Sequence, residues 1–85
     1  MTATVLLIIN SGSSSVKFQV FSYTTQLAEL ARGQIANLGT APKFTASNNA
    51  HPEQKLIQNL SADFNHTQSI QSILDWIRQQ QNWNI

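Results

Sequence analysis

An unbroken run of five apolar residues, 5–9, lies close to the start of the chain and ends at a cluster of small polar residues. Three of the five residues are β-branched. A short apolar run of this kind, bounded by turn formers, is typical of a strand that is covered on both faces. A lone hairpin in water leaves such a strand exposed. The run therefore predicts a sheet that packs against other elements on two sides.

A second strand is predicted at residues 16–23. Apolar and polar residues alternate at its start, in the order Val16, Lys17, Phe18, Gln19, Val20. Alternate side chains of a strand point to opposite faces, so this order gives one apolar and one polar face. Only residues 10–15, which are rich in serine, separate it from the first strand. We therefore predict an antiparallel hairpin with residues 10–15 exposed between its strands.

The middle of the chain gives weaker signals. Residues 27–38 begin with helix-favouring residues but continue into a glycine and a β-favouring segment, and we predict a strand there. A turn at 39–42, a short strand at 43–47 and a loop at 48–52 follow from the distribution of turn-forming residues. Residues 54–60 are predicted as a further strand.

Residues 65–80 carry the strongest local pattern, that of an amphipathic helix. Its apolar residues recur at helical spacing: Ile70, Ile73, Leu74 and Ile77. Asn65 can cap the N-terminus, with Gln68 in the capping-box position three residues later. No C-cap glycine follows, and we expect the chain to stop within a domain.

Size and charge exclude several classes of partner. At 85 residues the chain is one domain at most, and it can bury only about 60–65% of its unfolded surface. Five Lys and Arg residues and a net charge of +1 leave no basic patch for nucleic acid. The lack of cysteine excludes a thiolate metal site. Neither a leader nor an apolar run of membrane-spanning length is visible, so we expect a cytoplasmic protein with no membrane partner.

The polar cluster after the first strand carries the groups that a nucleotide phosphate needs. These are a glycine that lets the backbone approach, N–H and hydroxyl donors, and a positive charge. The candidate phosphate-binding residues are Gly12, Ser13, Ser14, Ser15 and Lys17. Asn10 can offer its amide oxygen to Mg²⁺ or to one of its waters. The alternative interpretation is a polar hairpin turn without a ligand. A P-loop is excluded, since its lysine directly follows a second glycine and opens a helix.

The sequence of residues 5–18, with its Asn-Ser-Gly-Ser-Ser-Ser-Val-Lys-Phe ending, resembles the N-terminal signature of acetate kinases and their propionate-kinase relatives. These enzymes belong to the superfamily of actin, sugar kinases and Hsp70 chaperones. Sugar kinases and Hsp70 proteins usually carry Asp-x-Gly at this turn, so Asn10 with the serine triplet is typical of the acyl-phosphate branch. Gly33 with residues 35–39 resembles the family's third strand and turn, and residues 63–77 resemble its first helix.

The resemblance implies an α/β fold of the ribonuclease-H-like, actin-like ATPase type. Residues 1–85 would form the N-terminal part of that domain, an antiparallel β-meander followed by one amphipathic helix. ATP and Mg²⁺ would be the cofactors, with Lys17 binding the nucleotide and Asn10 associated with the metal. The reaction would be phosphoryl transfer between ATP and acetate, a short-chain carboxylate, giving acetyl phosphate and ADP. The full-length protein would be a homodimer.

The resemblance also implies that no catalytic residue lies within this chain. The family's substrate-gripping arginines, its transition-state histidine, its aspartate and its metal-binding glutamate belong to segments beyond residue 85, so we expect the chain to be inactive alone. Two alternatives stay open. One is a propionate or butyrate kinase, and the other is a small non-catalytic binding module that retains the phosphate turn.

Several residues of chemically versatile types carry no functional prediction. His51 and His66 have no ligand partners at helical spacing, and we predict both to be solvated. The acidic residues are too scattered for an acid/base pair: Glu29, Glu53, Asp63 and Asp75. Trp76 and Trp83 are expected to pack against protein beyond this chain.

Overall fold

The computed structural model describes residues 3–23, 27–51, 53, 55–80 and 83–84. Within these ranges the chain forms six strands and one helix. In chain order they are β1 (Ala3–Ser11), β2 (Val16–Ser22), β3 (Glu29–Ala36), β4 (Lys43–Asn48), β5 (Leu56–Asn59), α1 (His66–Gln79) and β6 (Trp83–Asn84).

All six strands belong to one sheet, in the order β5-β4-β3-β2-β1-β6. The first five strands pair with their sequence neighbours in antiparallel fashion, whereas β6 pairs with β1 in parallel. The predicted hairpin is confirmed: Val5 lies opposite Ser22 and Asn10 lies opposite Lys17. The predicted α/β architecture, an antiparallel meander followed by one amphipathic helix, is also confirmed.

The helix α1 covers one face of the sheet, and we call this the covered face. Ile73 and Ile77 of α1 are buried there, and Ile70 and Leu74 are half-buried. The predicted capping box is present, because Asn65 and Gln68 exchange side-chain and backbone hydrogen bonds. The strands supply the rest of the buried apolar core: Val5, Val16, Phe18, Val20, Ala31, Ile35, Phe44 and Ala46.

Phe18 and Gly33 pack against each other within this core. They are opposite each other in the β2–β3 register, and the Phe18 ring fills the space where a side chain of residue 33 would lie. Phe44 and Trp76 meet the same ring edge-on, with centroids at 6.4 and 5.7 Å. Such T-shaped pairs stabilise a core beyond the area that they bury. A side chain at position 33 would therefore disturb sheet and helix packing together.

The opposite face of the sheet, which we call the open face, has no helix over it in the described part of the chain. Leu6 and Ile8 point to it and are 36% and 39% exposed. The described part of this chain therefore covers residues 5–9 on one face, and cover on the open face stays a prediction. The single helix spans one side only, and the polar residues of β2, β3 and β4 occupy the other.

The observed strand boundaries extend or shift several predicted ones. β1 continues through Asn10 and Ser11, so these exposed residues belong to the strand rather than to the turn. Residues 27–38 contain a strand, as predicted, although it begins at residue 29. Pro52 and Gln54, in the predicted loop and fifth strand, lie outside the described residues.

β6 was not predicted from the sequence, and the two tryptophans lie elsewhere than predicted. Trp83 belongs to β6, beside Ala3 of β1. Its ring contacts that of Trp76 edge-on at 6.4 Å, and Trp76 contacts Phe18. The expectation that both rings pack outside this chain is therefore wrong, since each finds an aromatic partner within it.

Replacing Gly33 with alanine should destabilise the fold. The added methyl group would lie 2.5 Å from the Phe18 ring and against the Thr45 carbonyl oxygen, which is backbone and cannot rotate away. Overpacking of this kind costs about 1–3 kcal/mol in the free energy of unfolding, measurable by urea denaturation. Gly12→Ala is the matched control, because a methyl group there meets only ordinary contacts, the nearest at 3.4 Å from Ser15. Equal stability of the two variants would contradict this packing.

Candidate functional site

Hydrogen bonds from three directions hold the turn between β1 and β2. Within the turn, the Gly12 N–H donates to the Ser15 carbonyl at 2.8 Å. From the β3–β4 connection, the Leu38 N–H donates to the Ser14 carbonyl at 2.9 Å. From the start of α1, His66 Nε2 contacts the Gly12 carbonyl at 2.6 Å. The carbonyl groups of Gly12, Ser14 and Ser15 are therefore engaged by the protein itself.

The N–H groups of the three serines in the turn differ from these carbonyl groups in their hydrogen bonding. Among the described residues, no acceptor receives a hydrogen bond from the N–H of Ser13, Ser14 or Ser15. Ser13 and Ser14 are exposed and Ser15 is half-buried. Successive backbone N–H groups in a turn can bind an anion where they converge. The turn thus has N–H donors available while three of its carbonyl acceptors are occupied.

Asn10 and Lys17 lie on either side of the turn in sequence and opposite each other on β1 and β2. Both are exposed, and both line a depression of about 420 Å³ on the open face. Opposite side chains on neighbouring strands are about 5 Å apart at Cβ, so a single ligand can reach both. The polar face predicted for Lys17 is confirmed by this position.

The charge in the depression comes from three cations, one of which is neutralised. Arg32 donates from Nε and Nη2 to the Glu29 carboxylate, at 2.8 and 3.1 Å. In the described part of the chain, Lys17 and Lys55 form no ion pair. The hydrogen bond from Arg32, followed by that from Gln19, holds the pKa of the Glu29 carboxyl below its ordinary value. The unpaired positive charge nearest the turn is therefore that of Lys17.

The structure places the predicted site residues in two adjoining groups. Gly12, Ser13, Ser14 and Ser15 form the turn, whereas Asn10 and Lys17 lie beside it on the open face. In the ranges that the structure describes, no three His, Asp or Glu side chains come together as a metal site. A cation here would have Asn10 as its protein ligand, with the remaining ligands from phosphate and water.

His66 is the residue that sequence reasoning missed. It was predicted to be solvated, but it is half-buried and bonded to the turn. The expectation for His51 agrees with the structure, because it is exposed and lies 3.8 Å from Glu53. The one available signal for His66 was its position directly after the N-cap, at the start of a helix that must return to the sheet.

A sequence profile of the Acetokinase family matches residues 5–84, nearly the whole chain. The chain belongs to the acetokinase family. The matched range includes both arms of the hairpin, the serine turn and α1.

Three similar proteins of known family are each named acetate kinase. The chain is 46% identical over 44 residues to an acetate kinase of Nitrobacter hamburgensis, covering 49% of this chain and 11% of the relative. It is 44% identical over 43 residues to an acetate kinase of Rhizobium meliloti, covering 49% of this chain and 11% of the relative. It is 30% identical over 73 residues to an acetate kinase of Halothermothrix orenii, covering 86% of this chain and 18% of the relative.

The chain thus spans less than a fifth of the length of these acetate kinases. No solved structure gives a significant match to it. In the residues that the structure describes, no helix is long and apolar enough to cross a membrane.

The pH dependence of thermal stability in a Glu29→Gln variant tests the ion pair between Arg32 and Glu29. Since the folded-state pKa of Glu29 lies below 4.5, its stabilising effect is complete above that pH and is lost as pH falls through the folded-state value. Glu29→Gln should therefore lower the melting temperature at pH 7, and the difference from wild type should shrink in acid. Thermal melts from pH 7 to pH 3 measure it.

Glu53→Gln serves as the control for this experiment. Glu53 is 68% exposed and has one weak contact, with His51, so its replacement should leave the melting curve nearly unchanged at every pH. A Glu29→Gln difference that grows in acid would contradict the arrangement.

Proposed function

We propose that this chain supplies the nucleotide-phosphate side of an acetate kinase, an enzyme that transfers a phosphoryl group between ATP and acetate to give acetyl phosphate and ADP. Family membership supports kinase chemistry in general. The observation that carries the specific proposal is the hairpin turn, whose Ser13, Ser14 and Ser15 N–H groups are free beside Lys17. Donors and positive charge at one place suit the terminal phosphates of a nucleotide.

Phosphoryl transfer relies on positioning and charge neutralisation more than on covalent chemistry by the protein. Free N–H and hydroxyl groups of the turn would hold phosphate oxygens, and the Lys17 ammonium would offset their negative charge. Asn10 fits a Mg²⁺–nucleotide complex, because Mg²⁺ uses one or two protein oxygen ligands together with phosphate and water. Bound there, the metal would neutralise phosphate charge.

The acyl substrate would be recognised elsewhere in the enzyme. Acetate carries a negative charge, and the residues that grip it and the transferring group would come from outside this chain. The proposal includes the family's other expectations: a cytoplasmic enzyme that acts as a homodimer and has no nucleic-acid or membrane partner. Propionate or butyrate in place of acetate is the nearest variant of the same proposal.

A free-standing, non-catalytic module is the alternative from another class. The open face argues against it, because Leu6 and Ile8 of β1 leave apolar surface in water there, and Ile57 of β5 is 64% exposed. Large apolar residues that a sheet exposes on one face are commonly covered by further protein. A kinase much longer than this chain supplies such protein.

The isolated chain of 85 residues should have no measurable acetate kinase activity. The nucleotide side alone lacks the groups that bind acetate and stabilise the transferring phosphoryl group. The assay is acetyl phosphate formation from MgATP and acetate by the purified chain, with the full-length enzyme as the positive control. Turnover that survives repeated purification, and that Lys17→Ala abolishes, would contradict the division of roles.

In the full-length enzyme, Lys17→Ala should impair the use of MgATP far more than the use of acetate. Loss of a charge-assisted hydrogen bond costs roughly 1.5–3 kcal/mol, or about 10- to 150-fold in kcat/KM for MgATP. Steady-state kinetics with MgATP and acetate varied separately measure this. Lys43→Ala is the matched control, since Lys43 is an exposed strand lysine outside the depression. Equal kinetics for the two variants would remove Lys17 from the site.

A further inference from the structure

We propose that His66 is a positioning residue: by binding the Gly12 carbonyl, it fixes the orientation in which the serine turn presents its N–H groups to phosphate. The inference rests on the proposed function and adds to it a residue from α1. His66 and Gly12 are 54 positions apart in sequence and are joined by a 2.6 Å contact.

The contact defines which ring nitrogen carries hydrogen. A backbone carbonyl can only accept, so Nε2 of His66 must be the donor. In a neutral imidazole the proton therefore lies on Nε2, and Nδ1 is left as the acceptor. This assignment can be measured directly.

The bond fixes the peptide unit that follows Gly12. None of the described peptide bonds is cis, and in a trans peptide the C=O and the following N–H point in opposite directions. With the Gly12 carbonyl turned to His66, the Ser13 N–H is turned away from α1. The side away from α1 is the open face, where Asn10 and Lys17 lie.

A second hydrogen bond, to the Ser14 carbonyl, orients the peptide unit between Ser14 and Ser15 in the same way. It accepts the Leu38 N–H at 2.9 Å, so the Ser15 N–H points away from the β3–β4 connection. Two carbonyl oxygens that would repel a phosphate are thus occupied, and two N–H groups are directed outward. A turn of small, exposed residues would otherwise sample many orientations, and ordering it on binding would weaken affinity.

The start of α1 is a firm support for His66. The Asn65 side chain accepts the Gln68 N–H at 2.8 Å, and the Gln68 side chain accepts the Asn65 N–H at 2.9 Å. The Asn65 carbonyl accepts both the N–H and the hydroxyl of Ser69, a fully buried residue. His66 follows directly after this cap, so its ring is carried by a helix start that several hydrogen bonds hold in place.

The first test is nuclear magnetic resonance on the 85-residue chain. Imidazole ¹H–¹⁵N correlations should show His66 protonated at Nε2. Backbone ¹⁵N relaxation should show residues 12–15 more mobile in His66→Ala than in wild type, with α1 unchanged. A neutral ring protonated at Nδ1, or a turn whose relaxation is the same in both proteins, would overturn the proposal without reference to catalysis.

The second test is kinetic and uses the full-length kinase. His66→Ala should raise KM for MgATP by about two- to tenfold, the effect of one hydrogen bond, and leave KM for acetate unchanged. His66→Gln, which retains an N–H donor at similar reach, should restore most of the loss. His51→Ala, the exposed histidine, is the control and should behave as wild type.

The outcomes separate this proposal from the proposed function. A wild-type full-length protein without acetate kinase activity overturns the proposed function, and the resonance data alone then decide whether His66 holds the turn. An active enzyme in which His66→Ala changes both KM values equally, or in which His66→Gln fails to restore MgATP use, overturns the positioning role.

Discussion

The packing of Phe18 against Gly33 is the contact on which the rest of the structure depends. A glycine in the middle of β3 leaves a gap on the covered face, and the aromatic ring from β2 fills it. The filled surface is what Phe44 and Trp76 contact. Trp76 belongs to α1. The helix therefore packs on the sheet against the Phe18 ring, which occupies the space that the absent side chain of Gly33 leaves.

The helix position in turn decides where the start of α1 meets the hairpin. Ile73 and Ile77 fix the helix against the covered face, and the capped N-terminus then lies beside the β1–β2 turn. Core packing and the candidate phosphate site are therefore linked through one element. On β2 the division is visible residue by residue, since Phe18 faces the core and Lys17 faces the open side.

The local elements were predictable because their signals are local. The alternation in β2, the apolar run of β1 and the capping box of α1 each specify structure within a few residues, and all three are present. The candidate site residues adjacent to the first strand could also be proposed from the sequence, because they follow one another along the chain. Their proposed roles rest on chemistry and family resemblance.

What the sequence did not reveal depends on distant contacts. The return of β6 to β1 and the bond from His66 to Gly12 join the early and late parts of the chain, and the pairing of Trp76 with Trp83 follows from the return of β6. No periodicity within a window of residues specifies such contacts. Cover on the open face of β1 stays a prediction, since composition indicates that a strand is apolar but not which protein covers it.

The parallel pairing of β6 with β1 also has a consequence for how folding can be observed. The five-stranded meander is assembled from neighbouring segments, whereas the β1–β6 contact closes the longest loop between paired strands in the described ranges, and loop closure costs more entropy as length grows. Both tryptophans of the sequence lie at that closure, one in α1 and one in β6. Intrinsic fluorescence therefore reports the docking of the two chain ends, while backbone circular dichroism reports the meander, so the protein carries its own optical probe of long-range order.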